Sequence, residues 1–381
     1  MMDKKMAVAV LGGGLLGRLM AWQLARLGHH VALCSESPRS GEGAAAYVAA
    51  AMLAPLAEAI DGTPLAVQLG YDSLPLWRQW LPEWPMPVFM QEHGALVVWH
   101  AQDKPLADQF VHHLRRAHHG EMVWQSWAGG DVAAQEPQLA GRFQAGLFLP
   151  AEGQLDNRQV LLALAAALES EGVVCQWQQR AEVAELAKTA DWVVDCRGVG
   201  AKSDWNQVPS TLSGSHDKQG QPLSRLRGVR GEVLRVWAPE VTLNRPVRLL
   251  HPRYPLYIAP KQNHLFVIGA TQLESEDDGP LTVRSGLELM SALYAVHPAF
   301  GEARVLESAT SLRPTLNHEN PEIRCDSGRK IMAVNGLFRH GFMIAPAVSL
   351  AAVRVLQALM VQQEMPSAAA RYGVPVCRLS K

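Results

Sequence analysis

The 381-residue chain is 48% hydrophobic and 19% charged, the composition of an ordinary globular protein with two to three domain-sized units, neither disordered nor fibrous. A formal net charge of −1 offers no electrostatic footprint for nucleic acid, and no apolar run reaches the roughly 18–20 residues of a membrane span. Five scattered cysteines with no CxxC pair exclude a disulfide framework and a zinc site, which points to a cytoplasmic enzyme with reduced thiols. The opening segment has the lysines and apolar stretch of a signal peptide. Three glycines interrupt it, however, and no small-residue cleavage site follows.

In chain order, Met6–Leu11 is apolar throughout, as in a strand buried on both faces of a parallel sheet. Gly12 to Gly17 form a turn, and a helix continues to Leu27. It carries Leu16, Leu19, Met20, Leu24 and Leu27 on its apolar side and Arg18, Gln23 and Arg26 on its polar side. Gly28 ends that helix and Val31–Cys34 is the second strand. The tryptophan- and proline-rich stretch Pro75–Pro87 reads as a loop or crossover at a domain boundary. A short strand, Ala95–Trp99, and a polar helix, about Asp103–His118, come next. A second α/β piece contains a helix over 157–170, a strand at Val173–Trp177, and Ala190–Cys196 leading into Arg197-Gly198-Val199-Gly200.

Residues 203–223 are polar and read as a loop. From Gly231 to Thr271 the pattern is that of antiparallel strands, interrupted later by a helix over 284–296. Ala347–Met360 is an apolar final helix, with Pro346 suited to an early helical position. Seven arginines between Arg225 and Arg253 read as outward positions on these strands. Parallel α/β pieces separated by antiparallel strands imply two domains built discontinuously: an α/β (α+β) fold with a Rossmann-type unit and an inserted, largely antiparallel sheet.

The glycine loop is the first feature that carries chemistry. Gly12 permits the tight turn, Gly14 permits close approach of a pyrophosphate, and Gly17 permits close helix–strand packing; the helix N-terminus then presents free N–H groups to the phosphates. A lone GxGxxG is weak evidence, but its place between a buried strand and an amphipathic helix makes dinucleotide binding the better reading over an unliganded turn. Glu36, 19 residues beyond Gly17, is the acidic residue spaced to hold the adenosine ribose.

An ordered set of motifs extends along the chain: Leu11–Gly17; Ala49-Ala50-Ala51-Met52-Leu53-Ala54-Pro55 with Glu58; Val193-Val194-Asp195-Cys196-Arg197-Gly198; Arg230-Gly231-Glu232; Tyr257-Ile258-Ala259-Pro260; Gly269-Ala270-Thr271; Leu312-Arg313-Pro314; and Gly336-Leu337-Phe338-Arg339-His340-Gly341 through Ala345-Pro346. In this order they resemble the FAD-dependent D-amino-acid oxidase group, closest to its glycine oxidase branch of bacterial thiamine biosynthesis. The likeness runs essentially from end to end.

It implies non-covalent FAD held by Gly12, Gly14, Leu15, Leu16, Gly17, Ser35 or Glu36, Ala50, Met52, Val183, Gly198, Arg339, His340, Gly341, Phe342 and Met343. In the family's register the ribose-binding acid falls on Ser35, one place before Glu36. The hydroxyl residues usual near the pyrophosphate are replaced by Ala46 and Tyr47, which leaves more to backbone contacts. The likeness also implies an FAD-binding domain of residues 1–85, 150–225 and 320–381, and a substrate domain of 86–149 and 226–319.

Arg313 matches the family's carboxylate-binding arginine. A guanidinium's planar fork suits a carboxylate in two charge-assisted hydrogen bonds. Tyr257 matches the tyrosine that orients the same carboxylate, Tyr254 is a second candidate, and Arg339 reaches substrate or cofactor. The final helix would point its positive end at the pyrimidine side of the flavin. The implied reaction is oxidative deamination of glycine or another small amino acid or amine, giving an imine, then oxo-acid and ammonia, with O₂ as acceptor and H₂O₂ released. No strong general base stands out, and positioning suffices where the cofactor carries the chemistry.

Other readings remain open: a same-fold dehydrogenase with a different acceptor, a flavoprotein that modifies a protein partner, and an NAD-dependent dehydrogenase. Homo-oligomer formation is undecided. His112-His113 and His118-His119 lack metal-ligand spacing and read as solvated helix; Cys325 reads as a passive thiol; Glu274, Glu276, Asp277 and Asp278 read as a charged loop.

Overall fold

A computed structural model of the chain describes residues 5–117, 122–207, 224–252, 256–361 and 372–378. Tyr254, Arg253, His118, His119 and most of the polar 203–223 stretch lie outside the described residues; within that stretch Lys202–Gln207 forms a short helix instead of loop.

Strand Ala7–Leu11, helix Leu15–Arg26 and strand His30–Ser35 form the first βαβ unit. It belongs to a seven-stranded sheet in the order Val376–Arg378, Glu322–Asp326, Ile331–Asn335, Trp192–Asp195, Ala7–Leu11, His30–Ser35, Val174–Trp177. The five strands from Ile331–Asn335 onward are parallel, and chain order reverses direction beside Ala7–Leu11. Ligands bind at such a switch point, beyond the carboxyl ends of the strands. Val8, Ala9, Val10 and Leu11 are all buried, as a parallel strand covered on both faces requires.

A second, eight-stranded sheet has the order Arg304–Leu316, Leu226–Trp237, Leu265–Gly269, Leu256–Pro260, Val247–Leu250, Ala95–Trp99, Ala145–Leu149, Gln125–Ala128. All its pairings are antiparallel except that of Val247–Leu250 with Ala95–Trp99. Alternation along the strands separates its faces. Leu234, Val236, Ile258 and Ile268 pack with Leu289, Leu293 and Val296 of helix Val283–Val296. On the other face Val233, Ala259 and Val267 meet Val48, Ala50 and Met52. This is the Rossmann-type unit with an inserted, largely antiparallel sheet that the sequence leads one to expect.

Four local readings need correction. Pro75–Pro87 is not a crossover: helix Pro64–Trp80 runs through Pro75, started by Thr63, whose side chain accepts the Ala66 N–H at 3.2 Å. Tertiary burial overrides the proline, because Trp77 and Trp80 turn inward beside Trp84. Trp22 meets Trp80 and Trp84 edge-on, with ring centroids 5.5 and 5.9 Å apart.

The final helix begins at Gly341, not Ala347, and contains Pro346. Proline cannot donate to the Phe342 carbonyl one turn back. The indole N–H of Trp77 donates to that oxygen instead, at 2.9 Å, while Ser73 Oγ accepts the Ala347 N–H at 3.1 Å. This helix is long and apolar enough to cross a membrane, yet most of it is buried, packed against Leu15–Arg26 and Pro64–Trp80.

Two of the three residues on the supposed polar side of the first helix are buried, Arg18 at 0% exposed and Gln23, which donates to Ser349 Oγ at 2.8 Å, whereas Arg26 stays exposed. Helices Asn157–Ser170 and Gly341–Met360 cover the helix from two directions. Finally, Arg230, Arg235, Arg245 and Arg248 are buried where the sequence suggests outward strand positions. Buried charge requires partners, and Arg230 finds Glu232 at 2.7 Å and Asp277 at 3.0 Å, Arg245 Glu136 at 2.7 Å.

Candidate active site

At the switch point Gly12 has φ +107°, and a Cβ there would lie 2.7 Å from the Cys196 carbonyl. A Cβ on Gly17 would overlap the Gly12 carbonyl oxygen, and one on Gly13 would strike Ser35 and approach the Trp177 ring to 2.9 Å. Gly14 differs: the nearest atom to its Cβ position is Ala44 Cβ at 3.8 Å, so open space lies before the amino end of helix Leu15–Arg26. Leu15 and Leu16 fill the core behind it.

Arg18 fixes the loop from beneath. Its Nε donates to the Gly13 carbonyl at 2.7 Å and Nη1 to the carbonyls of Arg39, at 3.0 Å, and Leu161. Its guanidinium stacks 4.6 Å from the centre of the Trp177 ring. Sequence periodicity missed this residue because a charged side chain in the first helical turn reads as solvated.

Ser35 is buried at the end of its strand, with Oγ accepting the Ser37 N–H at 3.1 Å, whereas Glu36 is exposed, 3.7 Å from Arg180. Of the two ribose candidates, Ser35 borders the glycine loop at Gly13, and Glu36 turns to Arg180. Val183 opens the short helix Val183–Leu186 beyond Trp177. Gly198, at φ +60°, would carry a Cβ 3.6 Å from Pro314, and its carbonyl accepts the Asn335 Nδ2 hydrogen at 2.9 Å; the Asp-Cys-Arg-Gly and Leu-Arg-Pro motifs are thus neighbours.

Ala50 and Met52 pack against Val233, Ala259 and Val267 of the eight-stranded sheet. Lys261, not singled out by sequence, anchors them: Nζ donates to the carbonyls of Ala50 and Leu155 at 2.9 and 2.6 Å and to Gln154 Oε1 at 2.9 Å. Burial lowers its pKa to about 7. His340, Gly341, Phe342 and Met343 form the amino end of the final helix, and nothing lies within 4 Å of a Cβ placed on Gly341.

The polar centre lies on the sheet face that meets Ala50 and Met52. Arg313 is opposite Val229, two places from Gly231 on the same face, and Tyr257 is two places from Ala259. Their strands are three steps apart, about 14 Å at roughly 4.8 Å per step. Arg313 passes over Gly231, where even a methyl group would lie 2.6 Å from Nη1. It donates from Nη1 to the Arg230 carbonyl at 3.2 Å and from Nη2 to the Thr271 carbonyl at 2.9 Å. Burial, and then neighbouring Arg339, lower its pKa to about 10, which leaves it cationic at neutral pH.

Arg339 joins a different network. Its Nε donates to Glu58 Oε2 at 2.8 Å, Nη1 to Gln272 at 3.0 Å and Nη2 to Asp61 at 3.4 Å. The Tyr257 hydroxyl donates to Glu58 Oε1 at 2.9 Å, and His340 Nδ1 lies 3.1 Å from Oε2. Burial acts to raise the Glu58 pKa, but Arg339, His340 and Arg248 outweigh it and hold the carboxyl well below its usual range. Burial pushes the Tyr257 hydroxyl up, so its proton stays on oxygen, aimed at Glu58. Glu58 appeared in the sequence only as a motif member; its central position follows from the turn Pro55–Glu58, which no periodicity reveals.

The residues fit a flavin dinucleotide. There is a glycine loop with one open glycine at a helix amino end, a second open helix amino end at Gly341, and on the eight-stranded sheet a segment whose backbone is pinned at Ala50. Beside them stands a guanidinium with no acidic partner among the described residues. Fold and site together define a flavin-dependent oxidoreductase.

The chain belongs to the FAD-dependent oxidoreductase family, whose profile matches residues 7–354. It is 39% identical to the putative thiamine biosynthesis oxidoreductase ThiO of Rhizobium etli over 361 residues, 95% of this chain and 98% of the relative. It is 26% identical to the glycine oxidase of Geobacillus kaustophilus over 357 residues, 92% of each. The crystal structure of glycine oxidase from Geobacillus kaustophilus matches with a TM-score of 0.76 at 22% identity, over 96% of this chain and 97% of that one. Iminodiacetate oxidase from Chelativorans matches with a TM-score of 0.77 at 18% identity, over 98% and 100%.

Proposed function

We propose that the chain catalyses FAD-dependent oxidative deamination of glycine or a similarly small amino acid or amine, with O₂ as electron acceptor, in the service of thiamine biosynthesis. The imine product hydrolyses to oxo-acid and ammonia, and O₂ leaves as H₂O₂. The observation that carries the reading is Arg313: a cation whose hydrogen bonds, among the described residues, go to two carbonyls, and which lies over Gly231 on the face toward the cofactor segment. FAD, when bound, supplies the two-electron chemistry.

The chain's residues supply the rest. The Gly12–Gly17 loop and the helix it opens receive the pyrophosphate. Ser35, the candidate that borders the glycine loop, would take the ribose in place of the exposed Glu36. The backbone N–H groups around Gly341, Phe342 and Met343 would hold the flavin ring and favour negative charge on it. Arg313 fixes the substrate carboxylate, and with it the position of Cα. Residues 1–85, 150–225 and 320–381 constitute the cofactor-binding unit, and 86–149 with 226–319 the substrate unit. We place the enzyme in the cytoplasm.

Arg313→Lys keeps a positive charge and removes the planar fork. Glycine affinity should fall roughly 10- to 150-fold, the equivalent of about 1.5–3 kcal/mol, with FAD content unchanged. Peroxide release on adding glycine, sarcosine or D-alanine ranks the substrates. Unchanged glycine affinity in the Arg313→Lys protein would misplace the anchor and move attention to Arg339.

A further inference from the structure

Between helix Ala45–Val48 and strand Met52–Leu53 the cofactor segment turns through Ala49, Ala50 and Ala51. The last of these is left-handed: Ala51 has φ +54° and is buried. Alanine adopts that conformation at a cost, because its Cβ crowds the following carbonyl oxygen. Such strain persists only where the surroundings impose it.

The groups that impose it all grip carbonyls. Asn157 Nδ2 donates to the Ala46 and Tyr47 carbonyls at 2.9 and 2.6 Å, and Arg235 Nη1 donates to its Oδ1 at 3.3 Å. The Leu155 N–H donates to the Ala51 carbonyl at 3.0 Å. Lys261, itself buried, donates to the Ala50 carbonyl at 2.9 Å and also to Leu155 O and Gln154 Oε1. Three acceptors face that nitrogen, which only an ammonium can satisfy together. The Ala50 carbonyl and the Ala51 N–H share one planar trans peptide and point in opposite directions. With the carbonyl drawn to Lys261, the N–H is turned the other way. Among the described residues neither it nor the Ala50 N–H meets a protein acceptor.

Resting on the flavin site described above, we infer that Lys261 is a positioning residue for FAD: its ammonium holds the left-handed turn at Ala51 and so keeps the Ala50 and Ala51 N–H groups free for the cofactor. Lys261 follows strand Leu256–Pro260, which carries Tyr257. The same hydrogen bond therefore fixes the cofactor segment relative to the substrate sheet. A lysine that merely filled space would show no energetic coupling to the backbone at Ala51.

Apoproteins of the parent, Lys261→Met, Ala51→Gly and the double variant are titrated with FAD while quenching of flavin fluorescence is followed. Lys261→Met should weaken FAD by about 10- to 100-fold, as loss of one charge-assisted hydrogen bond implies. Ala51→Gly should stay within about threefold of the parent, since glycine takes the same turn and Lys261 still holds it. In the double variant glycine should return a factor of about 5 to 30 of the loss, the weight of one left-handed non-glycine residue. Lys261→Gln keeps two donors, so it should show the same pattern to a smaller degree and guards against a folding defect in the methionine protein. Hydrogen exchange needs no variant: the Ala50 and Ala51 amides of the parent should exchange about tenfold more slowly once FAD is bound.

Parental FAD affinity in Lys261→Met would overturn the role. A loss of FAD that Ala51→Gly leaves undiminished would overturn it too, because plain loss of packing at 261 predicts that result. Unchanged exchange at the two amides would show that they do not serve the cofactor. A parent that binds no FAD would instead remove the flavin site on which the inference rests.

Discussion

Gly231→Ala isolates the Arg313 anchor without touching a charged group. The new methyl would lie 2.6 Å from Nη1 and closer still to Cζ and Nη2, against about 3.5–4.0 Å for heavy atoms in contact. The guanidinium must move by about 1 Å or more, which is feasible because it is the far end of a flexible side chain. That shift breaks or lengthens its bonds to the Thr271 and Arg230 carbonyls, now 2.9 and 3.2 Å, and turns the fork away from the carboxylate. One charge-assisted bond is worth about 1.5–3 kcal/mol, or roughly 10- to 150-fold in affinity. The strand itself should gain slightly, since alanine is favoured over glycine in a strand interior by about 0.5–1 kcal/mol. The expected protein is folded, as stable as the parent within about 1 kcal/mol, fully loaded with FAD, and weak toward glycine and acetate alike. Chemical denaturation, flavin content and anaerobic titration measure the three properties. Parental affinity for both ligands in the alanine protein would refute the placement of Arg313.

Glycine loop variants should divide. Gly14→Leu, in open space, should fold and purify colourless, whereas Gly17→Ala, whose Cβ overlaps the Gly12 carbonyl oxygen, should lose stability outright; circular dichroism with a flavin spectrum distinguishes them. Trp77→Phe leaves the Phe342 carbonyl without its donor inside the core and should cost about 1–3 kcal/mol in urea unfolding. Glu152 is buried against the Ala57 N–H at 2.6 Å, and burial raises its pKa to about 8. A carboxyl held protonated in the fold loses stability as pH rises from the unfolded value near 4.3 toward 8, by at most about 1.4 kcal/mol per pH unit. The advantage of Glu152→Gln over the parent should therefore grow between pH 6 and pH 8; a constant difference in unfolding free energy would contradict it.

The parts of this protein legible in its sequence are those fixed by short-range rules. A buried strand, three glycines at set spacing and an amphipathic helix follow from backbone sterics, and the structure places them at the switch point. Arg313 drew attention in the sequence because its two flanking residues form a motif, and the structure seats its guanidinium on the Arg230 and Thr271 carbonyls. What was hidden depends on partners distant in sequence. Pro75 and Pro346 look like helix breaks until Trp77 is seen to serve the carbonyl that Pro346 abandons. Arg18 and Gln23 look solvated until helices 157–170 and 341–360 close over them. Arg230 and Arg245 look like surface residues until Glu232 and Glu136 appear beside them. Glu58 is quiet in the sequence for the same reason: its partners Tyr257 and Arg339 are 199 and 281 residues away.

The long-range closure of the first helix also has a temporal meaning for a ribosome. Helix Leu15–Arg26 and helix Pro64–Trp80 are made early, but each buries a face against Gly341–Met360, which emerges some 260 or more residues later. At about 5–20 residues per second, the glycine loop and its tryptophans wait on the order of ten seconds to a minute with that face uncovered. Strand Ala7–Leu11 must likewise await Trp192–Asp195 before its second edge is paired. A nascent chain therefore emerges with an apolar, tryptophan-lined surface that chaperones can engage. Capture of the flavin becomes a late event, after helix Gly341–Met360 has left the exit tunnel.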